Sequence, residues 1–167
     1  MSRTIIKLFF YLCILTVLPS YAQNAVHYYF KTMDIRNGLS QNTVYQILQD
    51  RKGFMWFGTK DGLNRYDGLS YRVYKKENSG LGKNFITALY EDHEGNIWIG
   101  TDGGVFIYNP VLDSFTAFNQ TSDKGTVIKD FVTMIGSDEY DNIWISVENQ
   151  GLFCYNHEKR LWNYLHD

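Results

Sequence analysis

Along this chain apolar positions fall into short runs of four to six residues, separated by clusters of Gly, Asn, Asp and Ser. Such runs occupy Val44 to Leu48, Phe85 to Tyr90 and Val132 to Ile135, and each leads into an Asp. A tryptophan run follows, then Gly-Leu or Gly-Val leading to an aromatic: Gly62-Leu63 to Tyr66, Gly104-Val105 to Tyr108, Gly151-Leu152 to Tyr155. A fourth short run closes each set: Tyr71 to Tyr74, Phe115 to Phe118, Trp162 to Leu165. Short β-branched and aromatic runs between turn residues predict strands and hairpins. Beyond the N-terminal leader, no window sustains helical apolar spacing over three turns.

The pattern repeats. Asp50-Arg51-Lys52-Gly53-Phe54-Met55-Trp56-Phe57-Gly58-Thr59 returns as Asp92-His93-Glu94-Gly95-Asn96-Ile97-Trp98-Ile99-Gly100-Thr101, and more loosely as Asp138-Glu139-Tyr140-Asp141-Asn142-Ile143-Trp144-Ile145-Ser146-Val147. The tryptophans stand 42 and then 46 residues apart. Four strands at that period describe one blade of a β-propeller. The expected fold is all-β: a partial propeller of about three four-stranded antiparallel blades, residues 39–80, 81–124 and 125–167, with an orphan strand in residues 23–38. The Asp-x-x-Gly segment fits the turn between first and second strands, where Asp bonds a backbone N–H and Gly supplies the left-handed residue. Asp141 takes that Gly position in the third copy, which Asp tolerates. Asp92, Glu94 and Asn96 alternate as some calcium ligands do, but the other copies lack these oxygens, so the turn reading is preferred and no metal or cofactor is assigned.

Residues 1–22 read as a leader. Arg3 and Lys7 precede an apolar run from Leu8 to Leu18, Pro19 breaks it, and Ser20-Tyr21-Ala22 offers small residues for cleavage before Gln23. The run is short for a bilayer span. Cleavage removes two cations and no anion, taking the formal charge from −2 to −4. A mildly acidic exported chain has no electrostatic case for nucleic acid or for membrane contact after cleavage. Cys154 is then the lone thiol; alternation sets it opposite Phe153 and Tyr155, as a small packing residue.

Closed propellers use four to eight blades, and three fill the mature length. An open arc would leave an apolar blade face at each end. The expectation is an N-terminal piece of a longer propeller, with self-assembly of arcs into a ring as the alternative. His27 to Lys31 resembles the fourth-strand segment that precedes each later repeat. It would close the last blade of a complete ring, a partner absent here.

Up-and-down strand order sends the fourth-to-first connections and the second-to-third turns to one face. That face collects Ser40, Gln41, Asn42, Lys60 and Asp61 in the first repeat, Lys83, Asn84 and Asp102 in the second, and Lys129, Asp130, Glu148, Asn149 and Gln150 in the third. Amides, hydroxyls and charges beside aromatics suit a polyol ligand, though at any single position a solvated turn residue is the preferred reading. The chain is 17% aromatic, yet Trp56, Trp98 and Trp144 share one register, which assigns them to packing between blades; Trp162 is freer to meet a ligand. His27, His93, His157 and His166 assemble no catalytic triad, and no carboxylate pair is singled out. No phosphate loop is present, and no catalytic residue is assigned.

Gly38-Leu39-Ser40-Gln41-Asn42, Val44 to Asp50, Gly53 to Thr59 and Gly62-Leu63-Asn64-Arg65-Tyr66-Asp67-Gly68 closely resemble the two-component regulator propeller repeat. Leu81 to Tyr108 resembles it again; the third copy drifts at Asp141, Ser146 and Val147. The resemblance implies the periplasmic sensor region of a Bacteroidetes hybrid two-component receptor. It implies an oligosaccharide ligand, further blades, a small β-sandwich, one membrane helix and a histidine kinase core as parts of a longer chain, with dimerisation open. These 167 residues carry no kinase core and are not expected to be an enzyme. A propeller glycan lyase or hydrolase fragment, or a truncated structural fragment without signalling, are the competing readings.

Overall fold

The computed structural model describes residues 28–156 and 160–164. The expected leader, Cys13, His27, His157 and His166 lie outside the described residues. Residues 33–167 form one compact unit. Of the N-terminal unit, residues 28–32 are described: they are exposed and form no strand, Phe30 being 95% accessible. The expected orphan strand is therefore not formed in its described part. A strand is held by ladder hydrogen bonds to a neighbour, and no partner pairs with these residues among those described. A one-turn 3-10 helix, Ile35–Asn37, follows, capped by the Asp34 side chain and ended by Gly38 at φ 105°.

Three four-stranded antiparallel sheets follow, each joined strand to next strand. The first holds β1 (Val44–Gln49), β2 (Met55–Thr59), β3 (Gly62–Tyr66) and β4 (Tyr71–Tyr74); the second β5 (Ile86–Glu91), β6 (Ile97–Thr101), β7 (Gly104–Asn109) and β8 (Ser114–Ala117). The third holds β9 (Val132–Ser137), β10 (Ile143–Val147), β11 (Gly151–Tyr155) and β12 (Leu161–Tyr164). Every strand lies within a residue or two of its predicted run. One repeated irregularity was not predicted. The first two strands of every sheet slip register at the same repeat position, passing over Tyr45, Thr87 and Thr133. Such bulges twist the strand and re-aim a side chain.

The core lies between sheets. One cluster joins Trp56, Leu63 and Tyr74 of the first sheet to Ile86, Ile97, Ile99 and Tyr108 of the second. The other joins Ala88, Trp98 and Val105 to Val132, Ile145 and Phe153 of the third. Gly58 and Gly100 make the approach possible. A Cβ on Gly58 would lie 2.7 Å from the Ile86 side chain, and one on Gly100 would lie 2.7 Å from that of Val132. Each glycine thus receives the first residue of the next sheet's inner strand. Ser146 holds the same position in β10, where no following sheet lies over it among the described residues; its hydroxyl is 2.9 Å from that of Thr133.

The repeated Asp is both turn cap and tryptophan anchor. Asp50 Oδ1 accepts from the Lys52 and Phe54 N–H groups, and Oδ2 accepts from Trp56 Nε1 at 2.8 Å. Asp92 holds Trp98 at 2.8 Å, and Asp138 holds Trp144 at 2.9 Å. Asp141 sits at φ 60°, close to its counterparts Gly53 at 88° and Gly95 at 86°, so the turn survives the substitution as expected. Between sheets, Arg51 ion-pairs with Glu91 at 2.9 Å and donates to the backbone carbonyls of Asp92 and His93. Tyr90 donates to Ser137 at 2.6 Å across the next joint. Cys154 is buried, and burial raises its thiol pKa, in keeping with packing rather than nucleophilic chemistry.

Two outcomes are expected. Gly100→Ala should destabilise the chain by about 1–3 kcal/mol through overpacking against Val132, while Ser146→Ala should cost less than about 1 kcal/mol; urea unfolding compares them. Hydrogen bonds from Asn142 and then Trp144 hold the Asp138 carboxyl at a pKa of about 2. A depressed carboxyl pKa gives stability that is complete above the unfolded value near 4 and lost as pH falls towards 2. The Trp144 indole N–H resonance should shift with a midpoint near pH 2, and Asp138→Asn should abolish that transition.

Candidate functional site

The polar residues assigned to the loop face fall into two groups. The first group is structural. Ser40 accepts from Asn64 Nδ2 at 2.8 Å, donates its backbone N–H to Asn64 Oδ1 at 2.8 Å, and lies 2.9 Å from the Thr59 hydroxyl. Asn64 is fully buried, so this strut is internal. Gln41 accepts from the Lys60 N–H and Asn42 from the Ile35 N–H. Asn84 accepts from the Lys76 N–H and donates to Glu77. Gln150 spans its loop, accepting from the Lys129 and Asp130 N–H groups and donating to the Val127 carbonyl. Asp130 accepts from the Phe131 N–H, and Asp61 pairs with Lys75 at 2.6 Å.

The second group stays open to solvent: Lys60, Lys83, Asp102, Lys129, Glu148 and Asn149 are exposed. Asn149 serves the β10–β11 turn, with φ 58°. Lys83 lies along the β6–β7 turn, close enough that a Cβ on Gly103 would come 2.5 Å from its Cε. Lys60 stands 5.8 Å above the Phe85 ring, within cation–π range.

Phe85 belongs to a feature that sequence reasoning missed. Tyr45, Phe85 and Phe131 form a ladder of rings across all three sheets at the loop end of the inner strands. Tyr45 and Phe85 centroids are 4.9 Å apart, tilted by 59°; Phe85 and Phe131 are 5.6 Å apart, edge to face at 84°. Tyr45 is 48% exposed, and Phe85 and Phe131 are half-buried. Tyr45 is the residue the first sheet's bulge passes over. A signal was available for two of the rings: Phe85 and Phe131 each stand seven residues before the repeated Asp. Thr43 holds that register in the first repeat, and Tyr45, at the bulge position where the other repeats carry Thr87 and Thr133, supplies the ring instead.

Tryptophan placement follows the packing assignment. Trp56 and Trp98 are buried, and Trp144 is half-buried against Asp138. Trp162, on β12, is 39% exposed. Among the described residues no group of three metal-ligating side chains converges, and no helix is long and apolar enough to cross a membrane.

Residues 38–61 and 80–103 match the family described as two component regulator propeller. Over 54 residues, 32% of its length, the chain is 44% identical to histidine kinase P4 of Formosa agariphila, and this match spans 4% of that protein. Its fold is similar to the extracellular domain of the hybrid two component system BT3049 from B. thetaiotaomicron, with TM-score 0.70 and 29% identity over 80% of this chain and 20% of that one. It is also similar to the extracellular domain of BT4673 from the same organism, with TM-score 0.66 and 29% identity over 76% of this chain and 18% of that one. The chain thus spans a fifth or less of each of these three proteins. The segments that open its first and second sheets are two component regulator propeller repeats, and its three sheets are propeller blades.

Proposed function

We propose that the chain is an exported, ligand-sensing propeller segment of a two-component receptor, periplasmic after removal of residues 1–22, and that it binds oligosaccharide on the loop face. The observation that carries the ligand reading is the Tyr45–Phe85–Phe131 ladder. Sugar rings present C–H faces that lie against aromatic rings and hydroxyls that need flanking donors and acceptors. Exposed Lys60, Lys83, Asp102, Lys129 and Glu148 supply both, with charges of both signs that suit a neutral glycan better than a strongly anionic one. The struts made by Ser40, Gln41, Asn42, Asn84, Asp130 and Gln150 act beneath them by fixing the loops, and Asn149 by turning the chain. Asp61, tied to Lys75, completes the rim.

Sensing needs a ligand that favours one geometry over another. A glycan lying along a ladder contributed by three sheets touches every joint between them, so its binding bears on the angles between blades. Further blades, a membrane helix and a kinase in the longer protein, with a second copy of the receptor as partner, would carry that change onward. The similarity to extracellular domains of two-component systems supports the setting.

Calorimetric titration of the purified chain with neutral oligosaccharides tests the reading. Phe85→Ala is expected to weaken the best ligand about tenfold, equal to 1.4 kcal/mol, while Trp162→Ala leaves it unchanged. Equal affinity of Phe85→Ala and the parent chain, or turnover of the glycan, would defeat the proposal.

A further inference from the structure

The charges along the ring ladder are not evenly shared between its rungs. Lys60, on the β2–β3 turn, holds its ammonium 5.8 Å from the centre of the Phe85 ring. The same repeat position carries Asp102 in the second sheet and Glu148 in the third. Lys83 stands two residues before Phe85, and its ammonium end lies over Gly103 of the β6–β7 turn. Phe85 is thus flanked by two exposed lysines. Phe131 is flanked by acids. Its N–H donates to Asp130 Oδ1 at 2.8 Å, and its carbonyl accepts from the Glu148 N–H at 2.8 Å. Lys129 is the one lysine beside it in the loop.

The two lysines at Phe85 keep their charge. Asp61, next to Lys60 in sequence, is held by Lys75 at 2.6 Å, and among the described residues neither Lys60 nor Lys83 has an ion-pair partner. An ammonium over a ring is attracted by its face. A neutral sugar lying on Phe85 would displace the Lys60 ammonium and offer no charge in return. A carboxylate-bearing sugar draws the same ammonium to itself. At Phe131 a second carboxylate would meet Asp130 and Glu148, and like charges at close range oppose binding. The face therefore fits one acidic unit at one end of an otherwise neutral chain.

We propose that the ligand of the loop face carries a single uronate, seated at the Phe85 rung with Lys60 as the partner of its carboxylate and Lys83 as the second cation, and that its neutral sugars run towards Phe131. This rests on the sugar reading given above and adds a charge and a direction to it. Lys60 is then the residue that sets specificity, and the ring ladder supplies the contact area.

The test is calorimetric titration of the purified chain with two matched pairs, xylotriose with glucuronosyl-xylotriose and cellobiose with cellobiouronate, and with inorganic phosphate. In at least one pair the acidic member should bind about fivefold more tightly than its neutral parent, the order of one exposed charge pair. That advantage should shrink at high salt. Lys60→Gln should erase the advantage and Lys60→Arg should keep it, while Lys52→Gln, on the turn at the other end of the first sheet, should leave it as it is. Equal affinities within both pairs, an advantage that survives Lys60→Gln, or phosphate bound as tightly as the acidic sugar would overturn the assignment, and binding of the neutral parents would still uphold the sugar reading. Absence of binding by every sugar would overturn both.

Discussion

Apolar side chains on each sheet of this protein find their partners on the next sheet. A four-stranded sheet of this size has little interior of its own, so its stability depends on how closely a neighbour can lie against it. Gly58 and Gly100 set that distance. Each leaves a gap on the second strand into which Ile86 or Val132 is fitted, and a single methyl group at either glycine would collide with the incoming side chain. Trp56 and Trp98 then fill the space alongside, each fixed by a carboxylate of its own turn. The arrangement makes one small residue and one large residue per repeat mutually dependent.

This dependence also shapes the two ends of each sheet. Strands packed in this way present their connections at the two ends of each sheet, and the loop end carries the ring ladder and its exposed charges. Many polar residues of that end are consumed in holding loops still. Such fixed loops are what a recognition surface needs, because a ligand then spends little of its binding energy on ordering them. The outer joint is built differently. There Arg65 is surrounded by the Phe54, Trp56 and Tyr74 rings, and Arg72 of the first blade pairs with Asp113 of the second.

Much of the fold was legible because a repeat states its own register. The Asp, Gly and Trp spacing predicted turns and second strands, and strand limits differ from expectation by a residue or two. The substitution at Asp141 was correctly read as tolerated, since its φ of 60° is one that Asp adopts. The segment before the first repeat was read as a strand from its aromatic pattern. It is not one in its described residues, because pattern marks a capacity to pair and pairing needs a neighbour. For the candidate site, the loop face was legible from strand order, but the roles of its residues were not. Ser40 and Gln150 look like any exposed polar residues in sequence, and their partners, Asn64 and Val127, lie 24 and 23 positions away.

The sequence by itself determined the unit: four short strands, a capped turn, a glycine and a tryptophan at fixed intervals, because backbone geometry and turn chemistry act over a few residues. Tertiary structure alone decided which side chains meet. Tyr45, an aromatic that the other repeats replace by threonine, became the first rung of a ladder, and Arg65 of the first blade came to donate to Tyr108 of the second. Both depend on distances between segments some 40 residues apart, and such distances are fixed by packing rather than by local sequence.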